Sequence, residues 1–230
     1  MLGVAVLFLL LIVLSTALSG TFLSSAAFLV PASPVSGSDL TVLAHHAAAA
    51  RLNFGVGMLS DLLLVPGVVA LYVALRTDDR DAALLASAFL GLYILIDLTI
   101  TGIDLAALTS LSQSYASNST GELAPSVAVA NYVRALADVS LPLSTGVLSL
   151  GILVASDVLR RGGWSRALGY FGYVTAAVGL AFGLSLVAPP LAGFYGLSAI
   201  LELLWFAFVG YLLLQRSRSR AAEPVRAPTT

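Results

Sequence analysis

Six stretches of this chain, residues 2–22, 53–75, 82–108, 127–154, 167–187 and 196–214, are each apolar over about the 20 residues an α-helix needs to cross a hydrocarbon layer. A backbone surrounded by lipid has no water to bond, so such runs fold as helices that satisfy their own N–H and C=O groups. The expected fold class is all-α: a polytopic membrane helical bundle of six transmembrane helices. Residues 1–215 form its one domain and residues 216–230 an Arg-rich tail. Apolar residues make up 59% of the chain and charged residues 10%, far from the balance of a soluble domain, so the lipid bilayer is the first expected partner.

The last five runs end at turn or charge signals such as Arg76-Thr-Asp-Asp-Arg80, Arg161-Gly-Gly163 and Pro189-Pro190. The first run leaves two readings open. Its Leu-rich core ends in Ala17-Leu18-Ser19, as a cleaved signal peptide does, yet no Lys or Arg precedes it, which fits a retained helix.

Orientation follows from charge. All eleven basic residues are arginines, and nine fall in three places: Arg76 and Arg80; Arg160, Arg161 and Arg166; and Arg216, Arg218, Arg220 and Arg226. Cytoplasmic loops are enriched in such residues, so both ends are expected inside (N-in/C-in), in the cell (plasma) membrane as a multi-pass protein. The polar connections at 24–50 and 109–126 then lie outside, where Pro31, Pro34, Gly37 and the Ser/Asn-rich stretch 112–121 predict ordered coil with a helical turn or two. Asn118-Ser119-Thr120 is a glycosylation sequon on that side. A net charge of −1 argues against electrostatic attraction to nucleic acid, and the Arg-rich tail reads as a topology determinant near anionic lipid. The absence of cysteine excludes disulfides and thiol chemistry. Arginine without lysine suggests a GC-rich, prokaryotic genome.

Ionisable residues inside membrane spans are costly and face a bundle interior or a wet cavity. The candidate ligand or proton-binding acids are Asp61 in the second span, Asp97 and Asp104 in the third, Asp138 in the fourth and Glu202 in the sixth. Counted from the outer ends of their spans, four of them lie on the order of 10 Å deep, with Asp97 roughly another 10 Å further in and no cation at its level. They are therefore expected to converge on an outward-facing pocket, supported by Arg51, Asn53, Asn131 and Arg134. Asn131, Arg134 and Asp138 share a helix face that Pro142 and Thr145 continue, so Arg134 is expected to pair chiefly with Asp138. Polar side chains also glue membrane helices together, so a purely structural network is the competing reading.

Other chemistry has little support. His45 and His46 are adjacent, so they do not point at one metal as an i,i+4 pair does, and no HExxH pattern exists. No Ser stands in a G-x-S-x-G elbow. The sequence assigns no metal ligand and no cofactor. In the fifth span Gly172, Ala176, Gly179 and Gly183 make a stripe of small residues suited to close helix packing.

The run Asp61-Leu-Leu-Leu-Val-Pro66, the following Val69-Ala-Leu-Tyr-Val-Ala-Leu75, Asn131-Tyr132, and Glu202-Leu-Leu-Trp205 with Gly210-Tyr211 resemble an uncharacterised family of six-span prokaryotic membrane proteins, the domain of unknown function 4386. The likeness spans Arg51 to Gln215 and implies six helices; it implies no activity and no site residues. Three functions stay open: a membrane protein whose acidic pocket binds a small ligand or cation, with proton coupling; an intramembrane acid/base or metal-dependent enzyme; and a structural or assembly subunit, the small-residue stripe being its seam to a partner or to a second copy in a homo-oligomer.

Overall fold

The computed structural model describes residues 34–117 and 123–221. The first apolar run, the sequon and the end of the tail lie outside them. The described residues form six α-helices: α1 Gly37–His45, α2 Ala47–Leu75, α3 Arg80–Ser117, α4 Leu123–Arg161, α5 Arg166–Gly183 and α6 Tyr195–Ala221. Short 3-10 turns, Leu184–Leu186 and Pro189–Phe194, connect α5 to α6. Helices α2 to α6, with the turns flanking the last connection, supply five segments long and apolar enough to cross a membrane. The protein is a multi-pass helical bundle in which α2 packs on α3, α3 on α4, α4 on α5 and α5 on α6.

The connections at 24–50 and 109–126 are far more helical than coil in their described parts. Ala47–Ala50 carry α2 back by about one turn, because alanine loses the least on entering a helix. Thr109–Ser117 likewise continue α3, with Thr109 and Ser112 satisfying their hydroxyls on backbone carbonyls one turn earlier. Helix α1 starts at a reciprocal cap: the Ser36 hydroxyl accepts from the Asp39 N–H, and the Asp39 carboxylate accepts from the Ser36 N–H. The Ser36 hydroxyl, donating to Asp39 Oδ2 at 2.6 Å, and the Ser36 N–H, donating to the same oxygen at 2.8 Å, hold the Asp39 carboxyl below its ordinary range. A depressed carboxyl stabilises the fold above its ordinary pKa, and the gain disappears as pH falls through the depressed value. Amide exchange in α1, corrected for intrinsic rates, is thus expected to quicken in acid, and Asp39→Asn to abolish that pH dependence; an unchanged acid response in the variant would locate the effect elsewhere.

Two apolar clusters hold the bundle. One, at the Arg-rich end, gathers Leu71, Leu75, Ala86, Leu90, Ile152, Leu159 and Trp205. The other joins Val35, Leu40 and Leu43 of the α1 region to Phe54, Leu108 and Ala130. Leu62, Val69, Leu95, Val139, Val174, Ile200 and Phe208 are exposed along the spans, as lipid-facing side chains are. Serine and threonine inside the spans bond their own helix, Ser87 to Ala83 O, Ser149 to Thr145 O and Thr175 to Phe171 O, so they cost little there.

The small stripe of α5 is an internal seam. A Cβ on Gly172 would overlap the Ser156 hydroxyl of α4 and stand 2.5 Å from the Trp205 indole nitrogen of α6. One on Gly183 would come within 3.0 Å of the Gly146 Cα. The stripe therefore faces α4 and α6 of the same chain, and the expectation that it forms a seam to a partner does not describe this face. At the top of that contact the Trp205 N–H donates to Ser156 Oγ at 3.0 Å, both side chains being fully buried.

Candidate functional site

Helix register decides which acids meet. The turn between α2 and α3 is short, so residues at equal distances from it lie level: Asp61 is 14 residues before Leu75 and Asp97 is 17 after Arg80, each between about 20 and 25 Å from the turn. Glu202 is 14 residues before Arg216 and falls at the same height. Asp104 and Asp138, 24 residues from Arg80 and 23 from Arg161, are on the order of 10 Å further from that end. The acids thus occupy two levels where the sequence suggested one convergent pocket, because the outer helix ends from which depth was counted lie further out than the apolar runs indicate.

At the deeper level Asp61 and Asp97 face each other across the α2–α3 contact, close enough for their charges to interact. Asp61 is only 7% exposed. Tyr93, one turn before Asp97 on α3, lies in the electrostatic field of Asp61, Asp97, Glu202 and Tyr195. Tyr195, two turns before Glu202 on α6, senses Asp97 and Glu202. Two tyrosines therefore stand among three carboxyls drawn from three helices. Glu202 Oε1 is buried without a hydrogen-bond partner and lies 2.8 Å from where a Gly179 Cβ would be, in space that only glycine leaves. Among the described residues none of the three acids forms an ion pair. Nor do any three His, Cys, Asp or Glu side chains gather at metal-holding spacing among those residues.

The outer level is a charge-paired network. Arg134 of α4 donates from Nη1 to Asp104 Oδ2 of α3 at 3.0 Å and from Nη2 to Asp138 Oδ1 at 3.2 Å. Arg134 and Asp104 have side chains 15% and 8% exposed, whereas Asp138 is 47% exposed. The principal partner of Arg134 is therefore Asp104, not Asp138: an exposed i,i+4 neighbour at the watery end of the helix is screened, and the acid across the helix interface is not. Asp104 Oδ1 and Arg134 Nε are buried without partners, leaving one acceptor and one donor unused.

Asn131, one turn before Arg134 along α4, clamps backbone. Its Oδ1 accepts from Val35 N at 2.6 Å, and its Nδ2 donates to Val35 O at 2.9 Å and Val127 O at 3.0 Å. The side chain ties the segment before α1 to α4. Arg51 is exposed and Asn53 half-buried on the first turns of α2, at about the height of the outer level, and Arg51 forms no ion pair among the described residues. His45 and His46 are exposed at the α1–α2 junction. Tyr93 and Tyr195 are the side chains that reading the sequence for charge overlooks; their spacings to Asp97 and Glu202, four and seven residues, put them on the acids' own helix faces and are the signal that would have found them.

Set against known proteins, the chain matches no family model, no curated protein and no solved structure.

Proposed function

We propose that this protein is a six-span, N-in/C-in protein of the cell membrane, akin to the six-span prokaryotic family its sequence resembles, and that Asp61, Asp97 and Glu202 form a proton-binding site at mid-bundle. The observation that carries the reading is the contact between Asp61 and Asp97 on separate helices, with no cation paired to either among the described residues. Two carboxylates placed together with no cation beside them repel when both are ionised, and a proton shared between them removes that repulsion. Tyr93 and Tyr195 carry hydroxyls that both donate and accept, which is the requirement for passing a proton between the pair and the unpartnered oxygen of Glu202. A buried unpaired acid is too costly to persist as glue alone, which supports function over a purely structural network. The acids do not close into a three-ligand cage, so a proton suits this site better than a multivalent cation.

Infrared spectra of the protein in lipid test this. The shared proton is expected as a carboxylic-acid C=O band that shifts in heavy water, and Asp61→Asn and Asp97→Asn are each expected to remove it, because the pair titrates as a unit. Asparagine keeps size and most hydrogen bonding, so both variants should still fold. A spectrum without such a band, or one that survives both substitutions, would overturn the reading.

A further inference from the structure

At the Arg-rich end of the bundle, away from the acids, an open groove of about 350 Å³ runs between α5 and α6. Ser165, Leu168 and Phe171 line one side and Phe208, Tyr211 and Gln215 the other. The pairing is antiparallel: Ser165 sits opposite Gln215 at the mouth, and Phe171 meets Phe208 edge to face at 5.8 Å at the inner limit. The walls are apolar and the mouth is polar, with the Gln215 amide donating to the Tyr211 hydroxyl at 2.7 Å. Two turns of helix separate mouth from limit, roughly 10 Å, so the groove admits part of a hydrocarbon chain lying along the bundle.

The mouth is positively charged. Arg166 follows Ser165 directly and is exposed, and Arg216 follows Gln215. The Arg216 guanidinium stacks on the Trp164 ring at 3.7 Å from its centroid, and the Trp164 N–H donates to Asp78 Oδ2 at 2.6 Å, which fixes the position of that charge. Asp157 is taken up by Arg160, Arg161 and the Tyr173 hydroxyl. Arg166 and Arg216 thus form no ion pair among the described residues. A Trp and unpaired arginines at the end of an apolar span stand where headgroups lie.

We infer that this groove is a binding site for one anionic phospholipid, an acyl chain seated between α5 and α6 and its phosphate held by Arg166 and Arg216. The complementarity is of two kinds at once: an apolar channel open to the side of the bundle, and two cations beside its mouth that form no ion pair among the described residues. A zwitterionic lipid carries the same phosphate with a cation beside it, so it gains less from the two arginines.

Native mass spectrometry of the purified full chain, offered phosphatidylglycerol or phosphatidylcholine of identical chains, decides the matter. One phosphatidylglycerol is expected to remain bound where phosphatidylcholine is lost. Arg166→Ala with Arg216→Ala should weaken phosphatidylglycerol about 30-fold, the contribution of two interfacial cations. Arg166→Lys with Arg216→Lys keeps the charge and should retain the lipid, which also covers the case in which the alanine pair does not fold. Ala167→Trp, which fills the exposed groove without touching a charge, should displace it. Equal retention of both lipids, indifference to the loss of both arginines, or no lipid in either arm because residues of this chain or a second copy fill the groove would each overturn the inference.

Discussion

Arg134→Ala is expected to destabilise the protein by about 3–5 kcal/mol, since it strands a buried carboxylate. The carboxylate is Asp104, whose side chain is 8% exposed and whose Oδ2 has Arg134 Nη1 at 3.0 Å. Removing Asp104 along with Arg134 takes away both the charge and the need for its partner, so Arg134→Ala with Asp104→Ala should recover much of the loss. Asp138→Ala, by contrast, removes a 47% exposed i,i+4 partner and should cost only about 0.3–0.5 kcal/mol. Unfolding titrations in mixed detergent micelles compare these three variants and the single Asp104→Ala with the parent protein. Additive losses for Arg134 and Asp104, or a penalty for Asp138→Ala as large as that for Arg134→Ala, would show that the interhelical pair is not the one that matters.

That ranking of Asp104 over Asp138 shows how far the sequence carries. Spacing alone reveals that Arg134 and Asp138 share a helix face, because the 3.6-residue period is local. It does not reveal that α3 brings Asp104 against the same guanidinium, which depends on how α3 and α4 are set against each other. The class of fold was legible for a similar reason: an apolar run of about 20 residues has few alternatives to a helix. The helix ends were less so. Apolarity stops at the water boundary while Ala47–Ala50 and Thr109–Ser117 remain helical beyond it, since helix propensity and lipid solubility are different quantities.

The same distinction explains the two levels of acid. Depth counted from outer helix ends inherits their uncertainty, which placed Asp61 beside Asp104. Counted from the short turn at Arg76–Asp79, which pins α2 to α3, Asp61 falls level with Asp97. Tight turns are better rulers than span limits because they fix register between two helices at once. With that register the acidic level lies between the two apolar clusters, one of which includes Leu90, Ile152 and Trp205, the other Leu43, Phe54 and Leu108.

Gly179→Ala is expected to destabilise the protein by about 1–3 kcal/mol, by overpacking a close helix contact. The new methyl would overlap the Ser149 hydroxyl of α4 and reach 2.8 Å from Glu202 Oε1 of α6, so it presses on both neighbours and displaces the acid. Removing the Ser149 side chain opens that space. Ser149→Gly alone should cost about 1 kcal/mol through backbone entropy, and the double variant should lose less than the two singles together. Gly55, Gly57 and Gly91 provide the internal comparison: a Cβ there meets nothing within 4 Å, and replacing the glycine in a helix by alanine should stabilise by about 0.5–1 kcal/mol. Unfolding titrations and the mass of the protein–detergent complex, taken together, separate the two uses of a small-residue stripe. If Gly179→Ala left the stability of a single chain unchanged and instead broke an oligomer apart, the stripe would be a seam between chains. A fall in stability at constant oligomeric state, relieved by Ser149→Gly, is the result required by a stripe whose close contacts are with Ser149, Ser156, Trp205 and Glu202 of its own chain.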